Sequence, residues 1–487
     1  MSKRRELLVY VSILGYTLIF FRLADLRYLS LFSYEWEDLA QVNSILWNIA
    51  HLRMQGLINM IRFTGDTNFH LMPILFPVAL LYRALPSVHF LFLLIPFAIS
   101  VTAIPLFRIA RHKLGSNWAA FVVALSFLLY APKNSLVFLD ADPVILTIPF
   151  LAGMYWAAVK QKPNWFLLYS VLTGMCRTEA PFYVLTMSSY LWWNSGRSDR
   201  TFLRMTVIAL IWSAANLLLY VALSNDGLFI DAGTYRIGGL LSFLRGELLL
   251  FPVNFSATLL KLFVPLLFIP LFSKIFYTAL PALLVLALQR EFLPQRAHYL
   301  APMIPIMFLA LIDVLEKIRN KSIAPGLPRL GTAVLAIILA GAVASNFAPN
   351  ILGDLSRGHQ EEIRDKRFIG VRTLYDPVFY AQQEDDRVAW RMLNRIPADA
   401  SVSATGDLIG HLSSRPVFHE LLDPTSNPLD VDYILIRNRN MYFGAGHYFW
   451  DEEKIRNTIQ TLRESPDWEL LDDELGLILF QRKHQQL

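Results

Sequence analysis

The sequence predicts a polytopic α-helical membrane protein of about eleven spans carrying a C-terminal α/β domain. Three observations lead there. Apolar runs of spanning length recur from near the N-terminus to about residue 349. Charged residues make up only 17% of the 487 positions and hydrophobic ones 55%, with a mean hydropathy of +0.41, whereas a soluble domain carries about 25% charged residues. From about residue 350 the character changes. Charges become dense, as in Glu361-Glu362, Asp365-Lys366-Arg367 and Glu384-Asp385-Asp386, and no spanning run follows.

Length places the spans and Lys and Arg orient them. The first span is expected near 7–24, with Lys3, Arg4 and Arg5 inside. Because no small-x-small cleavage site follows Phe20, this run reads as an uncleaved span rather than a signal peptide. Further spans are expected near 88–110, 117–131, 143–159, 164–180, 181–194, 202–224, 254–273, 275–289, 299–315 and 330–349. This arrangement puts Arg108, Arg111 and Lys113 inside. It does the same for Lys160 and Lys162, Arg197, Arg200 and Arg204, Lys274, and Lys317, Arg319 and Lys321.

The first outer loop, about 25–87, contains a polar-faced helix over roughly Asp38–Gln55. It ends in an apolar stretch, His70–Leu85, with Pro73 and Pro77. That stretch is short for a span and suits a membrane-surface or re-entrant helix. If it crossed, Arg111 and Lys113 would move outside. Two domains follow: 1–349 in the membrane, and 350–487 as an extracytoplasmic α/β unit. Strands are expected at 401–405, 432–436 and 476–480, and a helix at 452–463. The odd span count places this unit outside.

The net charge of +5 does not imply nucleic acid, because basic residues in membrane proteins mostly mark cytoplasmic loops. The single cysteine, Cys176, rules out an intrachain disulfide and a cysteine-based metal site. The P-loop, the dinucleotide fingerprint, HExxH and GxSxG are all missing, which disfavours ATPases, Rossmann enzymes, zincins and α/β-hydrolases.

The candidate chemistry lies on the outer side. Asp38 follows the acidic and aromatic run Tyr34-Glu35-Trp36-Glu37. It reads either as a helix N-cap or as a general base toward an acceptor hydroxyl. Asp140 and Asp142, before Pro143, form either an ordinary turn or a pair that holds a sugar or a divalent metal. No cofactor is specified beyond that divalent cation. Arg177 and Glu179 read as an internal ion pair, or as contacts to a lipid phosphate and a hydroxyl. Arg290, Arg296, His298 and Tyr299 form an outside basic group. It runs against the positive-inside trend and suits an anionic head group or a phosphate-bearing substrate. His70, with Asp66 nearby, opens the re-entrant stretch.

Taken together, these segments resemble a family of bacterial membrane proteins called domain of unknown function 2079. Asp38-Leu-Ala-Gln-Val-Asn43 and Leu46-Trp47-Asn48-Ile-Ala-His51 resemble its "FDLGIFDQALWNTAH" opening, and Phe69-His70-Leu-Met-Pro73-Ile-Leu its "HFSPIL" step. Leu139–Pro143 sits at "FDFHPE" and Cys176–Glu179 at "KED". His298–Pro305 is similar to "HYSAPLIPF". Ser401–Thr405 with His411–Pro416 resembles "VSAQNNLLPHLSHRP". The likeness covers nearly the whole chain.

That family resembles the GT-C glycosyltransferases, which implies a GT-C-like fold and a polyprenyl-phosphate-linked sugar donor. On this likeness Asp38 is the base, Arg290, Arg296 or His298 holds the donor phosphate, and His70, Tyr299, Asp140, Asp142, Arg177 and Glu179 bind substrate. The expected partners are membrane lipids, that donor and an unspecified acceptor, at the outer face of a bacterial inner membrane. The chain departs from the pattern at three places. Asn43 stands where the pattern has a second Asp, Asp142 where it has His, and Thr178 where it has Glu. Either the acidic site is redistributed, or substrate or metal preference differs, or the member is non-catalytic. Competing readings are a lipid or polysaccharide transporter or flippase, with ionisable groups inside spans and repeated bundles, and a non-catalytic envelope assembly protein.

Overall fold

The computed structural model describes residues 2–31, 36–53, 71–138, 141–223, 260, 262–281, 283, 300–320, 330–347, 375, 377, 380–421, 428–438 and 452–483. Helices dominate them. α1 (Ser2–Leu29) is followed by α2 (Trp36–Ala50), α3 (Leu75–Tyr82), α4 (Val88–Val101), α5 (Ala103–Leu114) and α6 (Asn117–Leu128). Then come α7 (Thr147–Val159), α8 (Pro163–Gly174), α9 (Ala180–Asn194), α10 (Arg200–Leu223), α11 (Met303–Arg319) and α12 (Leu330–Ala344). Among the described residues, three stretches are long and apolar enough to cross a membrane: Arg5–Leu29, Val88–Leu114 (α4 with α5) and Arg200–Leu219.

Local chemistry sets many of the boundaries. Ser87 and Ser116 accept amide hydrogen bonds at the starts of α4 and α6, as N-cap hydroxyls do. Gly115 ends α5 in the left-handed conformation, φ +59°, which a residue without Cβ adopts freely. Prolines open α8 and α9, where a missing N–H costs nothing. α3 has eight residues, a length of roughly 12 Å against a hydrocarbon core of about 30 Å. It does not span by itself.

α11 lies at the centre. Met303–Ile312 are buried on every side, the pattern of a helix surrounded by other helices. It packs against α5, α7 and the turns around 269–279. At its C-terminal end Lys113 meets Glu316 at 2.6 Å and Lys317 meets Asp313 at 2.7 Å. Glu6 of α1 reaches Arg108 at 3.4 Å. The basic ends of α5 and α11 and the start of α1 therefore share one face, and the far end of α1 points away from it.

Two expectations need correction. A span was expected at 254–273, but among the described residues Val264–Leu266 and Ile269–Phe272 are 3₁₀ turns; the span expected at 275–289 opens on the 3₁₀ turn Lys274–Ala279, and most of it lies outside the described residues. Pro265 and Pro270 each remove a helical hydrogen bond, and Leu267 and Phe268 adopt positive φ, so a continuous α-helix cannot pass. α2 covers Trp36–Ala50 instead of 38–55. Asp38 therefore lies inside its first turn, and the N-cap reading of Asp38 does not hold.

The C-terminal unit is a five-stranded sheet of order β2-β1-β3-β5-β4. The strands are β1 (Val402–Ala404), β2 (Phe418–Glu420), β3 (Tyr433–Arg437), β4 (Trp468–Glu474) and β5 (Leu477–Arg482). β1 pairs in parallel with β2 and β3, and β5 is antiparallel to both β3 and β4. Helices α13 (Glu384–Leu393), α14 (Gly406–Leu412) and α15 (Glu452–Glu464) accompany it. The three expected strands and the 452–463 helix are present. β2 and β4 are additions: β2 is three residues long, and β4 is mostly solvent-facing, so neither carries an apolar signature.

This sheet does not stand apart. α2 packs on one side against α3 and on the other against α14. Leu31 and Ala40, fully buried, join the core formed by Val388, Met392, Leu408, Leu435 and Leu479.

Candidate functional site

The turn Met175–Glu179 between α8 and α9 gathers the described site residues. Arg177 is almost fully buried, its side chain 3% exposed, with Nη1 2.9 Å from Asp142 Oδ2 and Nε 3.3 Å from Glu179 Oε1. Asp142 does a second job, since its Oδ1 accepts the Val144 N–H at 2.7 Å and caps the turn Pro143–Leu146. The turn reading of the Asp-Pro step is thus realised, and the same side chain pairs with Arg177. The internal ion pair expected of Arg177 and Glu179 is present, and Asp142 is added to it. Two carboxylates share one guanidinium. Burial pushes the Glu179 carboxyl above the usual carboxylate range, the Arg177 charge opposes this, and Asp142 adds to it.

The segment that leads into α3 returns directly to this turn. Leu71 N–H donates to Thr178 Oγ1 at 2.7 Å and Ile74 N–H to Met175 O at 3.0 Å. Asn216, from α10, donates to Thr178 O at 2.9 Å. Thr178, where the family pattern has Glu, is therefore the residue that pins this segment. Sequence reasoning passed over Thr178 as a contact and Asn216 altogether. The available signal for Asn216 was an amide inside an apolar helix, a costly placement without a partner.

From Leu71 the chain enters α3, and the last residue of α3, Tyr82, donates its hydroxyl to Asn43 Oδ1 of α2 at 2.8 Å. One short helix thus connects the Arg177 turn to the helix that holds Asp38. Asn43 was expected to matter only as a lost carboxylate. It is fully buried, and its amide also donates to Ser413 Oγ and Ser414 Oγ, each at 2.9 Å.

The structure brings together Asp142, Arg177 and Glu179 from the sequence-derived set, and fixes the helical position of Asp38. His70, Asp140, Arg290, Arg296, His298 and Tyr299 lie outside the described residues. Among the described residues no group of three or more His, Cys, Asp or Glu side chains is arranged to hold a metal ion. Asp142, the described half of the expected metal pair, is engaged by Arg177.

With this geometry in place, comparison with known proteins adds one finding. A family described as "Predicted membrane protein (DUF2079)" matches residues 27–479. The chain belongs to this family. The match runs from the end of α1 to within β5, so it takes in the helices from α2 onward, the Arg177 turn and the C-terminal sheet. A search of curated proteins finds no match.

Proposed function

We propose that this DUF2079 member is a multi-span membrane glycosyltransferase of GT-C type. It moves a sugar from a polyprenyl-phosphate donor to an acceptor on the outer face of a bacterial inner membrane. Asp38 accepts the proton of the acceptor hydroxyl. The hydroxyl oxygen attacks the anomeric carbon, the bond from that carbon to the phosphate oxygen breaks, and the lipid phosphate leaves with inversion of configuration. Arg290, Arg296 and His298 stabilise the leaving charge. His70, Tyr299, Asp140, Asp142, Arg177 and Glu179 bind the substrate, and Asp140 with Asp142 takes a divalent cation if one is used.

One observation carries the reading. The buried Asp142–Arg177–Glu179 group is tied through Leu71 and α3 to the helix of Asp38. It sits at helix ends, away from the basic face of α1, α5 and α11. A transporter would favour ionisable groups within spans and repeated bundles. The described carboxylate group lies in a turn between helices.

The test is release of lipid phosphate from a defined set of polyprenyl-phosphate sugars by the full chain in proteoliposomes. Asp38→Asn is expected to lower the rate by about 100-fold or more, the usual scale of general-base loss. Undiminished turnover by Asp38→Asn removes Asp38 from the mechanism. Turnover of none of the donors by the wild-type chain removes the glycosyltransferase reading for that donor class.

A further inference from the structure

The C-terminal domain holds both ends of the connection between α1 and α2. At the first end it caps α1. The carbonyls of a helix's last turn have no partner within the helix, and here another domain supplies one. Trp390 Nε1 and Gln382 Nε2 each donate to Leu29 O at 2.8 Å. His411 Nε2 lies 3.0 Å from Tyr28 O, with its ring stacked on Tyr28 at 4.1 Å. Leu31, directly after the helix, is buried in the domain's own core.

At the second end the domain takes hold of α2 two and five residues beyond Asp38. Ala40 lies in the same core. Asn43 uses both ends of its amide, accepting from Tyr82 and donating to Ser413 and Ser414. These contacts join three bodies at one side chain: α2, α3 and the C-terminal domain.

We infer that the C-terminal domain is the positioning element for the first turn of α2, not a separable module, and that Asn43 is the positioning residue through which it acts. The catalytic consequence rests on the proposed role of Asp38. The mechanical one does not. An amide suits the junction because it donates and accepts at once. A carboxylate keeps part of the arrangement, since Tyr82 still donates to it and the Ser414 hydroxyl can turn to donate. The Ser413 hydroxyl already donates to Gly410 O at 2.9 Å. A leucine makes none of these bonds, so Tyr82 loses the Asn43 acceptor and Ser413 and Ser414 lose the amide that donates to them.

The experiment compares wild type, Asn43→Leu and Asn43→Asp as full chains in lipid nanodiscs, by amide hydrogen exchange and by sugar transfer. In Asn43→Leu, exchange across residues 36–43 is expected to rise about 10- to 100-fold, the equivalent of leaving a buried polar group unpaired. Exchange in α11 and β5 stays as in wild type. Transfer should lose kcat with donor KM unchanged, and Asn43→Asp should restore most of both signals. Unchanged exchange in Asn43→Leu overturns the grip, whatever the enzymology. Raised exchange with unchanged transfer, in a chain that Asp38→Asn inactivates, overturns the positioning role. Raised exchange in a chain indifferent to Asp38→Asn leaves the grip standing and defeats the catalytic reading instead. If Asn43→Leu loosens α11 as well, Trp390→Phe gives the decision. It deletes the N–H to Leu29 O and part of the ring packing on Tyr28 and His411, and should raise exchange across 28–31; no rise there overturns the inference.

Discussion

At the scale of single residues, Arg177 is the costliest group in the site. A guanidinium at 3% side-chain exposure is stabilised there by Asp142 and Glu179. Removing one member of such a group leaves charge buried without compensation, at about 3–5 kcal/mol. Arg177→Met is therefore expected to lower the thermal midpoint of the detergent-solubilised chain strongly. Adding Asp142→Asn and Glu179→Gln should recover part of the loss, because the neutral triple variant no longer buries an unpaired carboxylate. A midpoint equal to wild type in Arg177→Met would show that the turn does not depend on the pair. Half of this cluster was legible in the sequence. Arg177 and Glu179 lie two positions apart beside a proline, so their pairing is local. Asp142 lies on a different turn, and only the packing of α7, α8 and α9 brings it to Arg177.

At the scale of elements, hydrophobic length located most helices, and proline decided where it failed. The apolar run near 254–273 has the composition of a span, yet its described part folds as 3₁₀ turns through Pro265 and Pro270. α12 lies directly against this segment. A Cβ placed on Gly341 would fall 2.9 Å from the Pro265 carbonyl oxygen, and that neighbour is backbone, which yields poorly. Gly341→Ala is expected to destabilise by about 1–3 kcal/mol, the usual scale of an overpacked contact. Thermal unfolding of the variant against wild type checks this, and an unshifted midpoint would mean that α12 moves freely off the turn. The tight β4–β5 hairpin has a similar local logic. Leu475 and Gly476 both take positive φ, 51° and 78°, as a two-residue hairpin turn of this twist demands.

At the scale of the whole molecule, the docking of the C-terminal domain should respond to pH. His411 is enclosed by Tyr28 and Trp390. Burial pushes its imidazole down to about 3, with the Arg437 charge adding to the shift and the Tyr28 carbonyl opposing it. His89 of α4 packs on Tyr28 and pairs with Asp25 of α1, which Arg22 also pairs with. A freed His411 would titrate near its ordinary value of about 6.5, so the undocked form binds the extra proton. Docking is therefore at full strength above about pH 6.5 and weakens as pH falls, by up to about 1.4 kcal/mol per unit until the docked ring itself protonates. Amide exchange across residues 28–31 is expected to be faster at pH 5 than at pH 7 after correction for intrinsic rates. His411→Phe should flatten that difference, and a pH response that survives this substitution would assign it to another group.

The sequence by itself determined the class of the molecule: apolar helices, a charged C-terminal α/β unit, basic helix ends that meet on one face, and membership in a family recognisable from short motifs. Those properties follow from composition and spacing within a window of a few helical turns. The tertiary structure alone decided which residues meet. Asn43 and Ser413 are 370 positions apart, and Tyr28 and His411 are 383 apart. Hydrophobic periodicity marks which faces are buried but does not say against what, and a buried amide or imidazole is defined by the partners that packing delivers to it.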